Sequence, residues 1–417
     1  MKIITKYILL IFVVLLTTSC EEFLREEPTS FINPATFFKT KEDADASVVA
    51  GYSKQIGGSF YGAWRDFCWE EATDDFYKRP LFGTAQVLYD YEAFGPDHGV
   101  TNQVYNTFIN GINTCCVAVD GIEGMEDFTN KETLIAEAKF LRAFSYFNLV
   151  RVYGRVPLLT EGLGADEVRE IPRSNSVDEI YDLIVSDLEA GASDLWETAP
   201  APGRATKWTA MSLLAKVHLT LQNWSEAAQL AQQVVDESPH ILLPVYEDIF
   251  AEDNENNDES IFEIQYVVTS QKSNQVGNWP RGIGPVGGKD YFLGPAWGGG
   301  YICSEDFLNS FEPGDVRREQ IDTMVVKDDG TEVVFNADGE PPYYPIKRVP
   351  RSYINYLESN NNTGLNFICL RLGEVYLIAA EAENEANGPD NAYQYINPVR
   401  QRAGLDDLSG LSKEQFR

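Results

Sequence analysis

The sequence predicts a mainly helical protein assembled from paired helices, with an irregular, loop-rich part that contains short β-hairpins. Several segments place apolar or small residues three or four positions apart, which is the spacing of one helix face. Short turns group these segments into pairs. The stretches between the pairs are rich in glycine and aromatic residues. At 417 residues and 44% hydrophobic content, the chain is large enough to bury a core.

The strongest helix signal covers residues 133–153. Leu134 and Leu141 mark one apolar face of this segment. Gly154 ends the predicted helix, and Pro157 prevents it from resuming.

Three further helices are predicted before the first helical pair. One begins at Asp43, and one covers residues 101–125. The third covers residues 177–195, where Ser176 and Glu179 have the spacing of a capping box.

Two antiparallel helical pairs follow from the same periodicity. Residues 206–221 pair with residues 225–237, and residues 370–386 pair with residues 391–403. Such pairs, with small residues where two helices approach closely, resemble tetratricopeptide units, which must stack to bury their apolar faces. The small residues are Ala210, Ala215, Ala227, Ala228, Ala231, Ala379, Ala380, Ala382 and Ala392.

The loop-rich part is expected over about 57–100 and about 250–350. Residues 259–268 favour a strand, and residues 321–349 have the turn residues of a hairpin. Long irregular segments in a compact domain are often binding regions. The ligand region is therefore expected here.

The N-terminus has the pattern of a secretory signal. Lys2 and Lys6 precede an apolar run, and small residues lead to Cys20. The apolar run is shorter than the roughly 20 residues of a transmembrane helix. Residues 1–19 are therefore predicted to be a signal peptide. Cys20 stands where a bacterial lipoprotein carries its acyl chains, so Cys20 is the predicted lipidation site and membrane anchor.

Charge and composition exclude several classes of protein. A net charge of -31 repels nucleic acid, so no nucleic-acid partner is expected. The six cysteines and three histidines show no metal-ligand spacing, so neither a metal site nor a cofactor is expected. The cysteines that follow Cys20 are interpreted as buried free thiols.

Four stretches together resemble the SusD/RagB family of Bacteroidetes outer-membrane lipoproteins. Residues 20–24 read CEEFL, and residues 136–160 read AEAKFLRAFSYFNLVRVYGRVPLLT. Residues 207–217 read KWTAMSLLAKV, and residues 371–382 read RLGEVYLIAAEA. The resemblance covers nearly the whole chain after Cys20.

The resemblance implies both a fold and a role. It implies a tetratricopeptide-like helical scaffold with a loop-rich second part. It also implies a protein on the cell exterior, anchored to the outer membrane, that lies over a SusC-like TonB-dependent transporter. Such a protein binds oligosaccharides, or less often peptides, and is not an enzyme.

Aromatic residues in the two loop regions are the candidate ligand contacts. Sugar rings need flat apolar faces and nearby polar groups, and these loops supply both. Glycines around the second set leave the backbone accessible. The predicted ligand-binding residues are Tyr61, Trp64 and Asp75 in the first region, and Trp279, Arg281, Tyr291, Trp297 and Tyr301 in the second.

Other conspicuous residues are interpreted as structural. Trp69 and Trp208 are expected in the core, and Arg142 and Arg151 are expected to be ion-paired scaffold residues. The acidic run at residues 253–258 lacks the glycine and final glutamate of an EF-hand loop, so a solvated turn is favoured over a calcium site.

These expectations divide the chain into three parts. Residues 1–19 are the signal peptide, residues 20–42 are a lipidated tether, and residues 43–417 are a SusD-like domain. Its helical repeats cover about 101–240 and about 370–403. A capping box begins a helix at Ser412, close to the last residue, so we expect the natural C-terminal end to be missing.

Two alternative functions remain open from the sequence. One is a peptide-binding or purely protein-interaction scaffold of the same uptake complex, and in a pure interaction scaffold the repeats would serve only protein contact. A surface glycan hydrolase is disfavoured because no GxSxG or HExxH motif occurs and the acidic residues nominate no catalytic pair. The identity of the glycan or peptide is not readable from the sequence.

Overall fold

The computed structural model describes residues 37–56, 61, 73–77, 95, 98–251, 253–266, 302–326, 332–334, 343–345 and 365–417. Its helices are α1 (Lys41–Ile56), α2 (Gly99–Glu123), α3 (Lys131–Tyr153), α4 (Ala165–Glu170), α5 (Asp178–Asp194), α6 (Lys207–Thr220), α7 (Trp224–Glu237), α8 (Glu305–Asn309), α9 (Leu372–Asn387), α10 (Pro389–Arg402) and α11 (Lys413–Phe416). Its strands are β1 (Phe76–Tyr77), β2 (Ser260–Ile264), β3 (Ile302–Cys303), β4 (Ile321–Asp322), β5 (Met324–Val326), β6 (Glu332–Val334), β7 (Tyr344–Pro345) and β8 (Phe367–Arg371). Short 3₁₀ turns lie at Glu247–Phe250 and Val316–Gln320. The predicted mainly helical fold is confirmed.

Helix α3 is the centre of the core. The sequence predicts one apolar face, but the structure buries nearly every side chain from Leu134 to Val150. The reason is that α2 and α5 both pack closely against α3, and α1 also contacts it. Polar side chains on α3 then bond to backbone carbonyls, as Ser145 does to Leu141 at 2.9 Å.

The two predicted helical pairs are present. Helix α6 packs against α7, and α9 packs against α10. Helix α7 also packs against α9, which joins the two pairs into one stack. Ala227 and Ala382 are fully buried in a small cluster where α7 meets α9. Small side chains therefore stand at this close helix contact, as the alanine pattern predicts.

Side chains cap the start of some helices, including α6 and α11, whereas α5 begins after Val177 without a side-chain cap. The Thr206 hydroxyl accepts a hydrogen bond from the Thr209 amide at 3.3 Å at the start of α6. Ser412 and Gln415 bond reciprocally at the start of α11. Pro389 is the first residue of α10. A proline is tolerated there because the first helical amides have no intrahelical partner.

The described strands form two-stranded antiparallel pairs. Strand β2 pairs with β8, with Ser260 opposite Arg371 and Ile264 opposite Phe367. The sequence predicts the strand but not this distant partner. Strands β5 and β6 pair within the region predicted to form a hairpin.

Four of the six cysteines lie among the described residues. Cys115 and Cys116 are buried free cysteines, Cys303 is also buried, and Cys369 is partly exposed. No helix among the described residues is long and apolar enough to cross a membrane.

Candidate ligand-binding site

Two of the predicted site residues lie in the described part of the chain. They are Tyr61 and Asp75. The others lie outside the described residues and remain predictions, namely Trp64, Trp279, Arg281, Tyr291, Trp297 and Tyr301. The predicted lipidation site Cys20 also lies outside them.

A short strand pair joins the two predicted ligand loops. Phe76 of β1 stands opposite Cys303 of β3, and Tyr77 stands opposite Ile302. The Ser304 amide donates to the Asp75 carbonyl at 2.8 Å. Residues 75–77 of the first loop region thus lie beside residues 302–304 of the second.

Tyr61 lies where the first loop region meets the scaffold. Its ring stacks on Phe144 of α3 at 5.7 Å between centroids and lies 5.0 Å from Phe367 of β8. The ring is only 4% exposed. Tyr61 therefore anchors the loop in the core, and any ligand contact by this residue is restricted to the small part that stays accessible.

Asn366 fixes the point where the second loop leaves the scaffold. Its side-chain oxygen accepts a hydrogen bond from the Tyr266 amide at 2.8 Å. Its side-chain nitrogen donates to Glu263 at 3.0 Å and to Gln265 at 3.0 Å. Asn366 is 8% exposed, so these bonds are shielded from water. The direction of the chain at Tyr266 is therefore set by a buried polar network.

Asp75 has a shifted acidity. Partial burial raises the pKa of the Asp75 carboxyl, and the nearby Asp74 carboxylate raises this pKa further. Both effects disfavour the ionised form at the junction of the two loops. A donor on a bound ligand would offset this cost by hydrogen bonding to the carboxylate.

The acidic run after the 3₁₀ turn forms a hydrogen-bonded turn. The Asn257 side chain donates to the Ile249 and Asn254 carbonyls, each at 3.0 Å. The Asn256 amide donates to Glu263 at 3.0 Å. Within the described part of the chain, no cluster of histidine, cysteine, aspartate or glutamate could hold a metal ion.

Sequence reasoning missed Asn366 and its partners. A single asparagine before a short strand has no periodicity or motif that indicates a clamp. Its partner Glu263 lies on a strand that the sequence places correctly, but the pairing of β2 with β8 brings the two together only in three dimensions.

Comparison with known proteins gives the family. The model described as "SusD family" matches residues 314–415, and the model described as "Starch-binding associating with outer membrane" matches residues 66–219. The SusD-like protein P25 of Formosa agariphila is 29% identical over 99% of this chain and 85% of its own length. The chain belongs to the SusD family.

Solved structures share the fold of this SusD-family protein. A SusD homolog from Bacteroides thetaiotaomicron superposes with a TM-score of 0.79 at 22% identity, covering 95% of this chain and 84% of that one. A laminarin-binding SusD-like protein superposes with a TM-score of 0.74 at 22% identity, covering 89% and 86%. At this level of identity the likeness concerns the fold.

The family matches cover most of the helical scaffold of this SusD-family protein and part of each loop region. Residues 66–219 include α2, α3, α5 and α6, and residues 314–415 include α9 and α10. The part of the second loop region between residues 266 and 302 lies outside both matches. Loops can vary on a common scaffold, so ligand choice has to be sought in the loops of this chain itself.

Proposed function

We propose that this protein captures oligosaccharides at the outer surface of the cell and delivers them to a SusC-like TonB-dependent transporter. The observation that carries the proposal is the pairing of β1 with β3. It brings together two loop regions that are distant in sequence and are both rich in aromatic residues and glycine.

Aromatic residues from both loop regions could contact the same sugar chain. Each sugar ring presents apolar C–H faces and hydroxyl edges, so a binding site needs flat rings and polar groups side by side. Trp64, Trp279 and Trp297 supply rings, and Arg281 and Asp75 supply polar groups. The laminarin-binding neighbour and the starch-binding family description support a glycan over a peptide as the ligand.

The proposed location rests on the N-terminus and the family description. Residues 1–19 would direct export, Cys20 would hold the lipid anchor, and residues 20–42 would tether the domain of residues 43–417. Association with the outer membrane is part of the matching family description. The stacked helices provide a broad surface for a transporter, as stacked repeats commonly do for protein partners.

Binding without turnover is the expected behaviour. The proposed role needs capture and release, and the catalytic pair of a hydrolase would add nothing to it. A pure interaction scaffold differs from this proposal in one measurable property, because it would bind the transporter but no free glycan.

The direct test is titration of the purified chain with laminarin-, starch- and xyloglucan-derived oligosaccharides. We expect saturable binding to one class and no hydrolysis products. Trp279→Ala and Trp297→Ala should each weaken binding by roughly ten-fold or more, in keeping with about 1–3 kcal/mol per stacked ring. Trp208→Phe, a conservative change in the buried scaffold, is the control and should bind like the unmodified protein.

Three outcomes would count against the proposal. Absence of binding across the panel would favour the interaction scaffold. Product release would favour a hydrolase. Binding that both tryptophan variants leave unchanged would remove the site assignment.

A further inference from the structure

A pocket of about 400 Å³ lies between the helical scaffold and β8. Its volume is in the range of small-ligand sites. Asn148 and Arg151 reach it from α3, Lys216 from α6, and Glu374 from α9. Tyr61, in the first loop region, also lines this pocket. The pocket therefore includes one described residue of the first loop region and is otherwise built mostly from the helices and β8.

One polar edge of the pocket is a lysine–glutamate pair. The Lys216 ammonium donates to the Glu374 carboxylate at 2.5 Å. The two side chains are still 28% and 33% exposed. A donor and an acceptor therefore stand side by side within reach of solvent. Two adjacent sugar hydroxyls, each able to donate and accept, match such an edge.

A second polar group is fixed by its neighbours. The Arg151 guanidinium donates to the Asn148 side-chain oxygen at 3.0 Å and to the Phe147 carbonyl at 3.1 Å. It also lies 4.3 Å from the centre of the Phe147 ring. A guanidinium held in this way loses little freedom when it binds a hydroxyl, which favours affinity.

Apolar side chains complete the lining. Phe250 and Leu377 both contribute to it, and Leu377 is 39% exposed although it is a large hydrophobic residue. An apolar surface beside charged edges suits a pyranose, whose ring faces are C–H groups and whose rim is hydroxyl groups.

We propose that this pocket is an inner subsite for a terminal pyranose ring with adjacent free hydroxyl groups. In this arrangement the Lys216–Glu374 pair binds the hydroxyls, and Phe250 and Leu377 contact the ring. The inference rests on the proposed glycan-binding function, because the loops would hold the rest of the same oligosaccharide.

Two lysines on α6 allow a matched test. Lys216 lines the pocket, whereas Lys207 pairs with Glu197 at 2.8 Å and is not among the pocket residues. Both lysine side chains are 28% exposed. We expect Lys216→Met and Glu374→Gln to weaken binding of the panel oligosaccharide about ten-fold. Lys207→Met should bind like the unmodified protein, and thermal unfolding should confirm that all three variants are folded.

Cys369 gives a readout that needs no variant. It is a partly exposed thiol and lines the pocket. Bound oligosaccharide should slow its modification by a maleimide, measured peptide by peptide in mass spectrometry. The buried Cys115 on α2, which does not line the pocket, should stay unmodified with and without the oligosaccharide and so reports that the protein remains folded.

The outcomes separate this inference from the proposed function. If an oligosaccharide binds but Lys216→Met and Glu374→Gln match Lys207→Met, and Cys369 reacts at an unchanged rate, the inner subsite is wrong and glycan capture stands. If no oligosaccharide binds, both are wrong.

Discussion

Arg142 and Asp187 form a two-pronged ion pair inside the core. The Nε atom of Arg142 lies 2.8 Å from Oδ2 of Asp187, and Nη2 lies 2.8 Å from Oδ1. The two side chains are 5% and 3% exposed. The pair joins α3 to α5, so one contact links two neighbouring helices of the stack.

Removal of one partner should destabilise the fold more than removal of both. Arg142→Leu and Asp187→Leu each leave an uncompensated buried charge, which costs about 3–5 kcal/mol. The double variant leaves no charge and should lose less stability than either single variant. Denaturant unfolding of the four proteins measures this. If the loss of unfolding free energy in the double variant equals the sum of the losses in the two single variants, the two residues are not energetically coupled.

The sequence predicts Arg142 as an ion-paired scaffold residue but cannot name Asp187. Periodicity reports which face of a helix is apolar, and it finds most helices here. It does not report which distant element covers that face. The same limit applies to β2 and β8, whose pairing joins residues about a hundred positions apart. For the same reason the sequence predicted a single apolar face on α3. The polar side chains of α3 are buried with partners that the hydrophobic pattern does not reveal.

A larger side chain at the contact of α7 with α9 should disturb the helix stack. Ala227 is fully buried beside Ala382. Ala227→Leu adds volume to a closed interface and should cost about 1–3 kcal/mol in the free energy of unfolding. Gln232→Leu, at an exposed position of the same helix, is the control and should change stability little. Equal effects of the two changes would contradict the close helix contact.

Loss of the Asn366 side chain should loosen the root of the second ligand loop. Asn366→Ala leaves the Tyr266 amide and the Glu263 carboxylate without these bonds, at a cost of about 1–3 kcal/mol. Trypsin should then cleave faster at Lys272, Arg281 and Lys289, which follow Tyr266 in the sequence. Glycan affinity should fall even at temperatures where the variant is fully folded.

Asn387→Ala is the control for this experiment. Asn387 is an exposed asparagine that donates to Glu383 at the end of α9. Its removal should leave both cleavage and affinity unchanged. Equal cleavage rates in Asn366→Ala and the unmodified protein would show that the network does not hold the loop.

The candidate site was only partly readable from the sequence. Residue type and glycine content nominate the two loops, because both report local chemistry. The junction of the loops depends on two strands of only two residues each, β1 and β3. Strands this short have no alternation to detect, so sequence alone could not show that the loops meet.

Two aspartates should give opposite effects of pH on stability. Burial and then the neighbouring Asp74 raise the pKa of Asp75. The Thr40 amide, at 2.8 Å, and then the Thr40 hydroxyl lower the pKa of Asp43 at the start of α1. The folded state therefore disfavours the charge on Asp75 and favours the charge on Asp43.

The sign of each effect follows from which state holds the proton more tightly. The folded protein binds the Asp75 proton more tightly than the unfolded chain does. Ionisation of Asp75 therefore lowers the free energy of unfolding at a pH above the folded pKa. Below the ordinary aspartate pKa of about 3.9, Asp75 is protonated in both states and has no such effect. Asp75→Asn should therefore raise the melting temperature at pH 7, with the difference vanishing in acid.

For Asp43 the folded state favours the carboxylate. Its stabilising effect is present at a pH above the ordinary aspartate pKa and is lost as the pH falls through the lowered pKa of the folded protein. Asp43→Asn should therefore lower the melting temperature at pH 7 and converge with the unmodified protein in acid. Melting curves of the three proteins from neutral to acidic pH test both signs, and a shift in the same direction for both variants would contradict them.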